Sequence, residues 1–172
     1  VAGVRIVTEV FVPNRPRTKG SLEVVSARGP KCRCSPECRG FLPARRAATV
    51  RESVDGSSTW RQQVAYMVRA DRARRGLTEP SVGPVGVRAL FYLAPLGDGH
   101  DELGPIELGS GDTDKLARNI GDALADAGAY VNDVQVVSFW ADKVHADESH
   151  PEGCRLMVWE VPTWHLRLRA EW

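Results

Sequence analysis

Between Thr113 and Lys143 the apolar residues change period, and that change dictates a helix followed by a strand. Leu116, Ile120, Leu124 and Ala127 recur at three- and four-residue steps, with Ala123 on the same face. One amphipathic helix is therefore expected from about Thr113 to Ala127. Gly128 supplies its stop, because glycine adopts the left-handed conformation that helix C-termini favour. After a short turn at Tyr130 to Asp133, the β-branched and aromatic run Val134 to Trp140 reads as a strand that continues to Lys143.

Acids stand on both sides of this helix. Asp112 and Asp114 lie two apart at its start, and Asp133 lies at the approach to the strand. A helix followed by a strand brings the chain back past its own start, so Asp133 is expected beside Asp112 and Asp114. Carboxylates a few ångströms apart raise one another's pKa. A hard divalent cation, Mg2+ or Mn2+, relieves that repulsion, using one or two carboxylates per ion and keeping several waters. A second reading is purely local: Asp112 or Asp114 caps the helix and meets the positive end of its dipole, and Asp133 is a turn residue. The residues alone leave both open.

The formal net charge of +1 conceals a division. Residues 1–76 carry 16 Lys and Arg against 6 Asp and Glu, whereas residues 77–172 carry 7 against 16. A basic half suits a polyanion and an acidic half suits metal ions, so a nucleic acid and a divalent metal together use both. The alternative is that the halves neutralise each other across the fold. At 172 residues the chain suits one well-buried domain. No apolar run approaches the roughly 20 residues of a membrane-spanning helix. The N-terminal residues show no charged-then-apolar signal pattern, so a cytoplasmic protein with no membrane partner is expected.

A first strand is expected over Val4 to Val12, ending at Pro13. The turn-rich segment after it carries Arg15, Arg17 and Lys19. Such loop cations grip phosphates without reading bases, or they simply face solvent. Leu22 to Val25 reads as a short strand. Residues 31–40 hold Cys32, Cys34 and Cys38. That density points to thiolate ligation of a structural Zn2+, with a fourth ligand drawn from Cys154, His145, His150 or His165; reduced free thiols or an incidental disulfide are the other reading.

A second helix is expected to begin at a Ser57 or Ser58 cap, with Trp60, Val64, Met67, Val68 and Asp71 marking its turns and Trp60, Val64 and Met67 facing the core, and to end near Gly76. Its Arg69, Arg72, Arg74 and Arg75 are expected to be exposed. Val85 to Leu93 alternates as a strand. The interval Ala94 to Gly111, with Asp98, Asp101, Glu102 and Glu107, is long for a structureless connection and reads as a functional loop. Arg155 to Val161 and Trp164 to Ala170 read as strands interrupted by Pro162. No Gly-rich phosphate loop and no nucleophile elbow occurs, which removes the commonest nucleotide-binding and acyl-transfer chemistries.

The order of these features resembles the RusA-type Holliday junction resolvases. That family's pattern is Asp-x-Asp-Asn-Leu, a Lys six residues after the first Asp, then Asp-Ala-Leu, and finally Asp-Asp-x-Gln-Val at a strand. Here it reads Asp112-Thr113-Asp114-Lys115-Leu116, then Asp122-Ala123-Leu124, then Asn132-Asp133-Val134-Gln135-Val136, with Lys143 further along the strand. Lys115 stands where the family often has Asn, Asn132 where it often has a first acid, and Arg118 where it has Lys. A guanidinium does not shuttle protons as an ammonium does, so a role for Arg118 is electrostatic. The Cys-rich loop lies outside the pattern and reads as an insertion.

The resemblance implies a single α+β domain over residues 1–172, with a mixed β-sheet, two main helices packed on it, and the Cys-rich loop inserted. It implies a homodimer that cuts opposed strands of a four-way DNA junction. Asp112, Asp114 and Asp133 are then expected to hold the metal, Lys115 and Arg118 to neutralise charge on the phosphate, and Arg15, Arg17, Lys19 and Lys143 to bind DNA. Asp122 is expected to be structural. Two other readings stand beside this one: a related nuclease acting on forks or flaps, and a noncatalytic nucleic-acid-binding module with a zinc-stapled basic loop.

Overall fold

The structure is a computed structural model and describes residues 4–19, 22–26, 49–52, 56–95, 105 and 111–162. The cysteine segment 31–40, most of the 94–111 interval with its four acids, His165 and the strand expected over Trp164 to Ala170 lie outside the described residues. In chain order the elements are β1 (Ile6–Pro13), β2 (Leu22–Ser26), β3 (Thr49–Glu52), α1 (Ser57–Arg74), β4 (Val85–Leu93), α2 (Thr113–Asp126), a 3-10 turn (Asp133–Gln135), β5 (Val136–His145) and β6 (Gly153–Glu160).

Four strands form a mixed sheet in the order β1-β6-β4-β5. β6 is antiparallel to both β1 and β4, and β5 runs parallel to β4. Parallel neighbours need a crossover connection, and α2 supplies it. The fold is therefore α+β, a mixed sheet with two helices on one of its faces. The pair β2 and β3, joined antiparallel, belongs to a second compact unit, residues 20–55. The spacing in the sequence indicates β2; β3 falls inside a basic stretch that gave no strand signal.

Alternation along the strands decides which face the helices cover. Val10, Val12, Val87, Ala89, Phe91, Leu156 and Val158 are buried on it. Against them pack Trp60, Val64 and Val68 of α1 and Leu116, Ile120, Ala123 and Leu124 of α2. Each large side chain removed from water here contributes about 1.5–3 kcal/mol. On the other face Gly86 lies beneath Trp159, and a Cβ at that glycine would stand 2.3 Å from the indole. β5 is an edge strand. Val134, in the turn before it, and Trp140, within it, are 81% and 49% exposed.

α1 departs from expectation at both ends. Its N-cap is Gly56, in the left-handed region at φ 78°, so no side chain caps the helix, and Ser57 is buried instead. At the other end Arg72 is 4% exposed, not solvated. Its guanidinium donates to the carbonyls of Gly128, Leu77 and Glu79, the last at 2.8 Å. These carbonyls belong to the turns after α2 and α1, so Arg72 fastens the two helix ends together. Asp71 beside it is also buried and accepts from Thr8 Oγ1 at 2.9 Å, Glu9 N at 3.0 Å and Arg75 Nε at 2.8 Å. No helix among the described residues is long and apolar enough to cross a membrane.

Candidate functional site

The start of α2 is built on Gly111. Its φ of 87° suits glycine, and a Cβ there would stand 2.7 Å from Thr18 Cγ2. Asp112 follows in extended backbone at the N-cap position, yet its side chain makes no capping bond. The capping reading therefore does not describe Asp112. Its carboxylate pairs with Lys115 Nζ at 2.6 Å, and Asp114 pairs with Arg118 Nη2 at 3.1 Å. Both carboxylates stay open to solvent, at 63% and 60% exposure. The Lys115 hydrogen bond and charge hold the Asp112 carboxyl below its ordinary value, with Lys143 adding to the effect. The same hydrogen bond raises Lys115.

Lys143 reaches this end of the helix from β5, donating to the Gly111 carbonyl at 3.1 Å. The basic loop between β1 and β2 lies on it as well. The Lys19 amide donates to the Lys115 carbonyl at 3.2 Å, and Asn119 Nδ2 donates to the Arg17 carbonyl at 2.7 Å. Arg17 is exposed, and among the described residues neither Arg15 nor Arg17 has an ion pair. Lys19, by contrast, contacts Asp122 Oδ2 at 2.6 Å. The result is one surface with two open carboxylates and the cations Lys115, Arg118 and Lys143 around them, with the backbone of the basic loop that carries Arg15 and Arg17 tied to the same helix.

Asp133 is not part of that surface. It sits in the turn before β5, beside Tyr130, whose hydroxyl donates to the Gly121 carbonyl at 2.9 Å. Burial pushes the Tyr130 phenol up to about 12, with the Asp133 and Asp122 carboxylates contributing. Lys143, at the far end of β5, is what touches Gly111. At roughly 3.3 Å per residue, Val136 to Lys143 spans on the order of 20 Å. Among the described residues no three His, Cys, Asp or Glu side chains are grouped to hold a metal ion.

The expected convergence of three acids within one chain therefore fails, for a topological reason. A strand packed back along the preceding helix returns to the helix start with its own end, not with its beginning. Asp112 and Asp114 come together; Asp133 lies at the opposite end of α2.

The motif residues around Asp133 have local duties. Asn132 Oδ1 accepts from Val134 N at 3.1 Å, while Gln135 Oε1 accepts from the amides of Val131 and Asn132 at 2.9 and 2.8 Å. Gln135 Nε2 donates to the carbonyls of Ser81 and Gly83. This capping box fixes the turn that leaves the Asp133 side chain exposed. Cys154 is packed in the core and burial pushes its thiol well up. It lies among the apolar side chains between sheet and helices, and among the described residues it belongs to no group of His, Cys, Asp or Glu that could hold a metal ion.

Sequence reasoning did not single out Asn119, named Gln135 only as part of the family pattern, and placed Arg72 among exposed cations. Asn119 left a signal, as an amide on the apolar face of α2. No family model matches the chain, and no curated protein matches it.

Proposed function

We propose that the chain is a metal-dependent, structure-specific endodeoxyribonuclease of RusA type, which hydrolyses phosphodiester bonds in opposed strands of four-way DNA junctions as a homodimer. One observation carries this reading. Asp112 and Asp114 open the crossover helix with exposed carboxylates, Asp112 capping nothing, and the cations Lys115, Arg118 and Lys143 stand beside them. Two carboxylates with room for waters fit the coordination habit of Mg2+ or Mn2+. When bound, such an ion activates a water and stabilises charge on the leaving oxygen.

Lys115 and Arg118 then serve the non-bridging oxygens of the scissile phosphate, where charge develops. Arg15, Arg17 and Lys143 hold the flanking backbone and read no bases. The third carboxylate, Asp133, comes from a second copy. A two-fold axis that sets two β5 strands antiparallel brings the start of one beside the end of the other, and so Asp133 of each beside the acid pair of its mate. The exposed Val131, Val134, Val137 and Trp140 along this edge offer apolar surface for such a contact.

A noncatalytic reading has one observation in its favour: both acids already have a cation at contact distance. The test is cleavage of a synthetic four-way junction against fork, flap and linear duplex, with Mg2+ or EDTA. Junction-selective, Mg2+-dependent incision in paired strands supports the resolvase. Preference for forks or flaps moves the substrate within the nuclease class, and binding without incision favours the noncatalytic module. A structural Zn2+ on Cys32, Cys34 and Cys38 belongs to the same proposal; substoichiometric zinc in the purified protein, with freely titrating thiols, would remove it.

A further inference from the structure

The basic loop is held by a set of contacts that the catalytic reading does not use. Asn119 occupies the buried face of α2 beside Leu116, Ile120 and Ala123, where the helix pattern calls for an apolar side chain, and it is 1% exposed. Its Nδ2 donates to the Arg17 carbonyl at 2.7 Å and lies 3.4 Å from Ser57 Oγ. Turning the amide over would set its oxygen against the Arg17 carbonyl, so the orientation is fixed. Two residues on, Lys19 is tied twice, by its amide to the Lys115 carbonyl and by its ammonium to Asp122 at 2.6 Å.

Asp122 in turn lies 3.7 Å from Arg61 of α1. The start of the loop is pinned to α1, where Gln63 Nε2 donates to the Pro13 carbonyl at 3.1 Å. Pro16, between the two anchor points, is buried. Arg17 is exposed and Arg15 half-buried, and among the described residues neither has an ion pair.

We propose that Asn119, Asp122 and Lys19 are positioning residues, a latch that sets the basic loop against the acid end of α2, and that Arg15 and Arg17 alone are the loop's phosphate-binding cations. This rests on the nucleic-acid reading above and changes the role of Lys19. Its charge is matched by Asp122, so it adds no counterion release of its own; Arg15 and Arg17 each add a slope of about 0.9 in log K against log salt.

The decisive variant is Asp122→Asn, because the two roles for Lys19 predict opposite signs. A latch predicts weaker binding of a synthetic four-way junction, by about fivefold, the upper end for a half-exposed ion pair. A Lys19 that contacts phosphate directly predicts tighter binding once Asp122 stops competing. The measurement is junction affinity in Ca2+, across a salt series, for Asp122→Asn, Lys19→Met, Asn119→Ala and the charge exchange Lys19→Asp with Asp122→Lys. Expected are weaker binding with an unchanged salt slope in the single variants, recovery in the exchange, and single-turnover cleavage at saturating enzyme within about twofold of wild type. Tighter binding by Asp122→Asn, or a slope reduced by Lys19→Met, overturns the proposal.

Amide hydrogen exchange over residues 14–19 reads the latch without DNA. Faster exchange in Asp122→Asn and Lys19→Met supports it, and unchanged exchange overturns it. A wild-type protein that binds no DNA while those amides respond overturns the functional reading and the loop's DNA role, with the latch itself standing.

Discussion

The Lys143 ammonium donates to the Gly111 carbonyl at 3.1 Å, joining the far end of β5 to the residue just before Asp112. That contact explains both what the start of α2 contains and what it lacks. It brings a cation to the acid pair from a strand whose other end carries Asp133. The crossover delivers counter-charge to Asp112 and leaves Asp133 at the opposite end of α2.

Asp112 is held below its ordinary value chiefly by Lys115 and less by Lys143. Lys115→Met should therefore raise the Asp112 carboxyl toward the usual range, and Lys143→Met should raise it less. A carbon-detected NMR titration of the side-chain carboxyls measures both. The reverse order would contradict the placement of the two cations.

Asp71 links α1 to β1, and its folded-state pKa is depressed. Burial alone would raise it, but hydrogen bonds from the Glu9 amide, Arg75 and Thr8 outweigh that effect. A depressed carboxyl contributes stability that is complete above its unfolded value of about 3.9 and is lost as pH falls through the lower folded value. The urea midpoint of the wild type should drop more steeply below pH 4 than that of Asp71→Asn. At pH 7 the variant should be less stable by roughly 2 kcal/mol. Parallel profiles for the two proteins would refute this account of Asp71.

Arg72 donates to carbonyls in two separate turns while buried. Arg72→Leu keeps the packing volume but leaves those carbonyls without donors, at about 3 kcal/mol or more. Arg72→Lys recovers only part of this, since an ammonium lacks the planar fork. Thermal melts of the three proteins should rank wild type, Lys and Leu in descending order.

How far the sequence alone reached depends on the range of the interaction concerned. The period of Leu116, Ile120 and Leu124 gave α2, and alternation gave β4 and β6, because burial on one face is a local pattern. The acid pair Asp112 and Asp114 was equally visible. The position of Asp133 needed the added step that a strand following a helix starts at the helix's far end, so that only the end of β5, at Lys143, returns to the start of α2. Arg72 looked like any cation near a helix C-terminus; only the turn at Gly128, brought in by tertiary packing, makes it a buried anchor. Lys19 looked like a third loop cation until Asp122, far along the chain, took up its charge.

If Asp133 acts across a dimer, two inactive chains should complement each other. Mixed Asp112→Asn and Asp133→Asn subunits form a dimer with one intact site and one doubly broken site. Such mixtures should nick one strand of a junction without resolving it. Absence of nicking in a mixture shown to contain heterodimers would argue against a shared site.

The most direct measurement is Mg2+-dependent incision of a labelled four-way junction by Asp112→Asn, with junction affinity measured on the same samples. The account predicts incision reduced by at least about a thousandfold, as expected when a metal-holding carboxylate is lost from a hydrolytic site, with affinity changed by no more than a few-fold. Incision at the wild-type rate by Asp112→Asn would contradict it.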